Sequence, residues 1–300
     1  MKKKSHLIWL DWPYDAFRLK PIDLKLYKSL AGEGEVAFVT SEKAFLRKLP
    51  SATHVVTWQF KKEWFEKAAN LKVLSTPAAG RELMPNDEDM PKGIEKIHGT
   101  FHGQIMSETV IACMFAHARG LYAAKKFQDE NVLWARGEMS PFCSRVAGTK
   151  AVILGYGNIG KATAVKIEAL GVEVHGVGRK NIDELPQLLK TADWFVLALP
   201  GDGTTEKTVN KKTLSLLPRN AVVINVGRGS VIDEDALADA LRKRKIAAAF
   251  LDVFAKEPLE KTSPLSENLP GLVRFPHVSA FAPEYLPLFF EELSTKGFFS

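Results

Sequence analysis

Short apolar runs recur along the first hundred positions: LIWL at 7–10, EVAFVTS at 35–41, THVVTW at 53–58, LKVLST at 71–76 and IEKIHG at 94–99. Amphipathic stretches such as SEKAFLRKL and KKEWFEKAAN stand between them and read as helices. Strands alternating with helices predict βαβ units and a parallel sheet. From Gln104 a long helical pattern, QIMSETVIACMFAHARGLYAAKKFQ, carries apolar residues at three- and four-residue spacing. A looser stretch, ENVLWARGEMSPFCSRVAG, leads into a second alternating region. Its strand candidates are KAVILG, VEVHGV, WFVLAL, AVVINV, AAAFLDVF and LVRFP, separated by helical segments such as IGKATAVKIEAL and EDALADALRKR. This second region reads as a doubly wound domain.

Composition narrows the class. A chain of 300 residues suits two domains of ordinary size or one large one, and 46% apolar with 25% charged residues matches a soluble globular chain with a sizeable core. No apolar run approaches the ~18 residues of a membrane helix. The start, MKKKSHLIWLDWPYD, is too briefly apolar for a secretory signal, so LIWL reads as a first strand. Cys113 and Cys143 lack metal-ligand spacing; Cys113, within VIACMFA, reads as a buried thiol, and a reducing cytoplasm fits. The net charge of +6 is scattered without interleaved aromatics, so no nucleic-acid partner is expected. Its densest run, RKRK at 242–245, ends a helix that opens with Asp233, Glu234 and Asp235, which complements the helix dipole. His98 and His102 are four apart, like a zinc pair, but Gly99 and Gly103 argue against the helix such a pair needs. No metal site is expected there.

The chemistry gathers at strand ends. In KAVILGYGNIGKATAVKIEALG a strand runs through a tight turn into a helix, spanning Gly155, Tyr156, Gly157, Asn158, Ile159 and Gly160. Gly155 allows the turn, Gly157 lets the backbone approach a pyrophosphate, and Gly160 lets helix and strand pack closely. The helix N-terminus then faces the anion. A methyltransferase-type nucleotide site answers to the same motif. Later strands end in Pro200-Gly201-Asp202-Gly203, in Gly227-Arg228-Gly229 after Val226, in Asp252 followed by Lys256-Glu257-Pro258, and in Pro276-His277. Ligands of open α/β sheets bind outside these carboxyl ends. Taken singly, Asp252 reads as a turn cap, Glu257 as a loop acid and His277 as incidental. At four successive strand ends, an arginine, two acids and a histidine suit reduction of an anionic carbonyl compound.

These strings together resemble one family. AGTKAVILGYGNIG, ADWFVLALPGDGTTEKTVN, LLPRNAVVINVGRGSVIDEDALADAL, FLDVFAKEPL and FPHVSAF are similar, in order over roughly residues 104–282, to the D-isomer-specific 2-hydroxyacid dehydrogenases. The resemblance implies an α/β fold of two doubly wound domains. A Rossmann cofactor domain at 104–282 would be inserted into a flavodoxin-like substrate domain at 1–103 and 283–300, with PEYLPLFFEELSTKGFF folding back onto the first hundred residues. It implies a homodimer through the cofactor domains. It places a catalytic arginine at Arg228, acid at Glu257 and histidine at His277, a nicotinamide-amide contact at Asp252, and cofactor contacts at Pro200, Val226 and Gly227. Arg228 would hold the substrate carboxylate and polarise its keto oxygen, and His277 would protonate that oxygen, oriented by Glu257. Formate dehydrogenases, which resemble this family, carry glutamine as the histidine's partner, so the glutamate here points to a keto-acid reductase.

Three stretches depart from the family pattern. LSTPAAGREL keeps Gly80 but places Arg81 and Glu82 where valine and aspartate usually stand. Ala79 and Gly80 would offer amides to the substrate carboxylate, with Arg81 reading a second negative group. RKNIDELPQLLKTADWFVL is shorter than the family norm, trimming the rim of an adenosine pocket. His277 is followed by VSAFAPEY, without the threonine often found there.

One stretch bears on the cofactor. VEVHGVGRKN ends in Arg179 and Lys180, where an acid would bind the ribose hydroxyls of NAD. These cations attract a 2′-phosphate, and a charge-assisted hydrogen bond of ~1.5–3 kcal/mol corresponds to a roughly ten- to hundred-fold preference. NADP(H) is therefore the expected cofactor, with NAD(H) the alternative. The reading is an NAD(P)H-dependent reductase of small 2-keto acids, glyoxylate- or hydroxypyruvate-like by similarity. The alternatives are NAD-dependent oxidation of phosphoglycerate or D-lactate, and a non-catalytic cofactor-sensing binding protein. The aromatic loop LDWPYDAF lines either a pocket or the core.

Overall fold

A computed structural model describes residues 3–299, which form two compact units: residues 3–102 with 281–299, and residues 103–280.

The first unit is built on five parallel strands: β1 (Ser5–Trp9), β2 (Glu35–Phe38), β3 (His54–Thr57), β4 (Val73–Thr76) and β5 (Glu95–His98), in the order β2-β1-β3-β4-β5. Helices α1 (Pro21–Ala31), α2 (Glu42–Lys48) and the C-terminal α9 (Tyr285–Thr295) belong to it. Local chemistry sets their ends. Asp23 accepts the amide of Lys20 at 2.9 Å to open α1, and the Ser41 hydroxyl accepts from Ala44 at 3.3 Å to open α2. Glu292 of α9 accepts the amides of Thr100 and Phe101, both at 2.8 Å. KKEWFEKAAN, read as helical, forms 3-10 turns over Lys62–Lys67 instead. Trp64 is buried there against Phe45 and Phe60, and Phe65 packs on Phe60. Packing of adjacent aromatics outranks helix propensity.

The second unit holds six parallel strands: β6 (Lys150–Leu154), β7 (Glu173–Val177), β8 (Trp194–Leu197), β9 (Val222–Asn225), β10 (Ala248–Leu251) and β11 (Leu272–Arg274). Their order is β11-β10-β9-β8-β6-β7. β8, β9 and β10 are buried at every position, as expected of central strands covered on both faces. The covering helices are α3 (Gly103–Ala118), α4 (Leu121–Asp129), α5 (Asn158–Glu168), α6 (Leu185–Leu188), α7 (Lys211–Ser215) and α8 (Glu234–Arg242). The single long helix expected from Gln104 is broken at Gly120, whose φ is +63°. A Cβ there would stand 2.8 Å from Cβ of Phe142, so the chain turns under the 140s loop. Strand order reverses at β6, whose neighbours are β7 on one side and β8 on the other. The crevice above it is the switch point at which ligands of such sheets bind. Among the described residues no helix is long and apolar enough to cross a membrane.

Candidate active site

The turn after β6 is shaped by its three glycines. Gly155 has φ +101°, a region closed to other residues. At Gly160 a Cβ would lie 2.3 Å from the Gly155 carbonyl, so helix and turn can approach only without it. At Gly157 the same test meets nothing within 4 Å. Backbone is thus exposed to open space at the start of α5, whose N-cap makes no side-chain hydrogen bond. Asn158 and Ile159 open this helix, and their turn leaves backbone amides without an intrahelical partner. That is a cradle for an anion, and a dinucleotide pyrophosphate fits it. Tyr156 is 37% exposed and lays its ring over Gly176 of β7.

At the end of β9 the fully buried Asn225 clamps the next turn. Its Oδ1 accepts the amide of Gly227 at 3.0 Å, and its Nδ2 donates to the carbonyl of Arg228 at 3.0 Å. The base of the Arg228 side chain is therefore fixed in direction, and its Nη1 donates to the Gly227 carbonyl at 3.1 Å. Asn225 was not singled out from sequence, although a lone amide closing an apolar strand before Gly-Arg-Gly was a visible signal. Val226 is buried in the core with its amide on Leu197, so only its backbone faces the strand ends.

Asp252, just after β10, is 1% exposed. Its carboxylate accepts the amides of Val278 at 2.7 Å and Ser279 at 3.0 Å, and its carbonyl accepts the amide of His277 at 2.9 Å. Three successive amides are thereby tied to one residue, and His277 is held at φ +55°. That left-handed conformation costs roughly 1–2 kcal/mol for a residue with a Cβ, offset here by charge-assisted hydrogen bonds. Both oxygens of Asp252 serve this loop, which is the turn-cap role that competed with a nicotinamide contact in the sequence.

The imidazole Nδ1 of His277 lies 2.6 Å from Oε2 of Glu257, whose Oε1 accepts the amide of Phe254 at 3.0 Å. With Nδ1 engaged, Nε2 is the nitrogen left for chemistry. The hydrogen bond to Glu257 raises the His277 pKa above its ordinary 6.5; burial and the Arg228 charge oppose the rise, while the Glu257 and Asp252 charges support it. For Glu257, burial works upward, but the hydrogen bonds from His277 and Phe254 together with the His277 and Arg228 charges outweigh it and hold the carboxyl low. Each shift favours the charged form of its group, imidazolium for His277 and carboxylate for Glu257.

At the far side of the glycine turn, Arg179 and Lys180 open a 3-10 turn after β7, over Arg179–Glu184. The Asn181 side chain staples this turn, accepting from Gly178 N at 2.9 Å and donating to Gly176 O at 3.0 Å. Arg179 is 90% exposed, and its Nη2 lies 3.8 Å from Oδ2 of Asp202 in the loop after β8. Pro200, in the same loop, accepts the Thr205 hydroxyl at 2.7 Å.

Ala79, Gly80 and Arg81 lie in the first unit, in the loop after β4, where the Arg81 carbonyl closes a turn onto Met84. The Tyr285 hydroxyl, 2.9 Å from Nε2 of the buried His102, donates to Pro77 at the base of this loop at 3.3 Å. Of the aromatic loop after β1, Trp12 packs on Trp58 and Phe17 on Tyr285 and Phe281, while Trp9, which ends β1, is partly buried against Phe45.

Comparison with known proteins supplies the context. The model of the D-isomer specific 2-hydroxyacid dehydrogenase NAD binding domain matches residues 111–279. Glyoxylate/hydroxypyruvate reductase B of Pectobacterium atrosepticum is 32% identical over 237 residues, 74% of this chain and 73% of that one. Glycerate dehydrogenase of Methylorubrum extorquens is 26% identical over 288 residues, 91% of this chain and 87% of that one. A D-isomer specific 2-hydroxyacid dehydrogenase from Xanthobacter autotrophicus, solved with NADPH and MES, has a TM-score of 0.77 at 25% identity, over 98% of this chain and 96% of that one.

Proposed function

This chain belongs to the D-isomer specific 2-hydroxyacid dehydrogenases, a family of NAD(P)-dependent oxidoreductases, and from that premise we propose that it reduces small 2-keto acids to D-2-hydroxy acids with NADPH preferred. The observation that carries the direction is the 2.6 Å contact of His277 with Glu257. A contact that favours the protonated imidazole serves a reductase, which must deliver a proton to the keto oxygen.

The cradle at Gly155–Gly160 fits a dinucleotide, and when bound the cofactor supplies the hydride. The chain's own residues do the rest. Arg228, with its backbone fixed by Asn225, grips the substrate carboxylate with a planar fork of donors and polarises the adjacent carbonyl. His277 gives its Nε2 proton to the carbonyl oxygen as charge develops there, and Glu257 stabilises the imidazolium beforehand and fixes the ring. Arg179 and Lys180, with no acid on their own strand end, support NADPH over NADH. Glyoxylate and hydroxypyruvate are the proposed substrates, supported by the name of the Pectobacterium relative. A homodimer is proposed with them, supported by the exposure of Leu133 (95%) and Trp134 (81%) on the second unit.

The test is glyoxylate and hydroxypyruvate reduction with NADPH and NADH in parallel, followed by loss of reduced-nicotinamide absorbance. Turnover near the ordinary enzymatic median of about ten per second is expected, abolished in His277→Gln with cofactor binding retained. Cofactor binding without turnover of any 2-keto acid would instead establish a sensing protein.

A further inference from the structure

The carboxylate of Asp202 is held in place by its own turn. Its Oδ1 accepts the Thr204 amide at 3.0 Å and the Thr204 hydroxyl at 2.5 Å. The turn is closed by Thr205, whose hydroxyl accepts from Asp202 N at 3.2 Å and donates to Pro200 O at 2.7 Å. One oxygen is thus spent on the loop, while Oδ2 faces Nη2 of Arg179 at 3.8 Å. The strand order β8-β6-β7 puts these two loops on either side of the glycine turn, so the pair bridges the crevice above β6. With the arginine 90% and the aspartate 42% exposed, the pair is water-screened and opens easily.

We propose that Asp202 is a second determinant of cofactor choice, supplying from the loop after β8 the acid that the end of β7 lacks. This rests on the reading that Arg179 faces the ribose 2′ position. A 2′-hydroxyl is then accepted by the carboxylate, as NAD requires, and a 2′-phosphate by the guanidinium, against repulsion from Asp202. A phosphate of about −1.5 to −2 charge meets both signs at once. Asp202 therefore reduces the NADPH preference that Arg179 and Lys180 alone would give, and it keeps NADH usable.

Calorimetric titration of the whole chain with 2′-phospho-ADP-ribose and with ADP-ribose tests this without turnover, since neither fragment carries nicotinamide. Asp202→Asn keeps an acceptor for Thr204 and removes the charge. It should tighten the phosphorylated fragment about fivefold, the equivalent of one exposed charge pair, and weaken the other about tenfold, because the 2′-hydroxyl then meets at best a neutral acceptor in place of a charged one. Asp202→Ser, which also offers Thr204 an oxygen, should shift the ratio the same way. Arg179→Ala should weaken only the phosphorylated fragment. An unchanged ratio in both Asp202 variants, with Arg179→Ala still selective, would overturn the role of Asp202 and leave the NADPH reading standing. An unchanged ratio in all three variants would remove both.

Discussion

His277 and Glu257 come from the ends of different strands, yet Nδ1 and Oε2 meet at 2.6 Å. The relationship depends on backbone anchors at both ends, Phe254 for the acid and Asp252 for the histidine.

Because the hydrogen bond to Glu257 raises the His277 pKa above 6.5, the ring stays protonated to higher pH than a free imidazole. Keto-acid reduction should hold its kcat/KM below that raised pKa and lose it as pH rises through it, while hydroxy-acid oxidation should gain. Glu257→Gln removes the carboxylate, leaving burial and Arg228 to act downward, so the inflection should move to lower pH. A pH profile with the same inflection in both proteins would refute the coupling.

Asp252→Ala orphans the amides of Val278 and Ser279 in a buried site, at about 1–3 kcal/mol each. The variant should unfold at lower urea, with stability reduced by about 2–6 kcal/mol. It should also lose at least tenfold in kcat, an estimate for a misplaced proton donor, because His277 leaves its left-handed conformation. Wild-type values for both would show that the loop does not need the carboxylate.

The last two glycines of the turn, Gly157 and Gly160, separate folding from binding. Gly160→Ala drives a methyl into the Gly155 carbonyl at 2.3 Å and should lower the melting temperature clearly. Gly157→Ala places its methyl in open space, so its melting should match wild type while dinucleotide affinity falls about tenfold through loss of close backbone approach. Equal melting of the two variants would contradict this division.

In the first unit the rings of His6 and His54 pack tilted with centroids 4.9 Å apart, and burial lowers each pKa to about 4, assisted by His54 and Lys4 for the one and by Lys4 and Lys72 for the other. Nε2 of His6 has no partner among the described residues, so a second ring proton finds no acceptor. The unfolded chain takes these protons near 6.5 and the folded chain only near 4. Stability from this pair is therefore full above pH 6.5 and falls between 6.5 and 4, by at most about 1.4 kcal/mol per pH unit for each ring. Replacing His6 with Phe should flatten that slope in urea titrations across this range; an unaltered slope would assign acid lability elsewhere.

Much of this molecule is legible in its sequence, because each strand is an apolar run bounded by turn residues and parallel strands bury both faces. The second unit reads most clearly, since KAVILG, WFVLAL and AVVINV have no competing period. The break at Gly120 was hidden, because Leu121 and Phe127 continue the helical spacing beyond it. The 3-10 turns at 62–67 were hidden for another reason: Trp64 obeys Phe45, which is distant in sequence, as well as the nearby Phe60. At the site, residue types at strand ends were visible, but their supports were not. Asn225 and Phe254 act through backbone groups, and the approach of Asp202 to Arg179 follows from strand order, which no local pattern encodes.

The grip of Glu292 on Thr100 and Phe101 has a consequence for how the protein is made. Those amides leave the ribosome 191 or 192 residues before their acceptor. Tyr27 likewise waits for Phe290, and His6 for Phe298. Residues 103–280, being contiguous, have every internal partner available while α9 is still being synthesised. Residues 3–102 are thus completed only after residues 103–280 have been made, and their five strands wait through that interval without their closing helix.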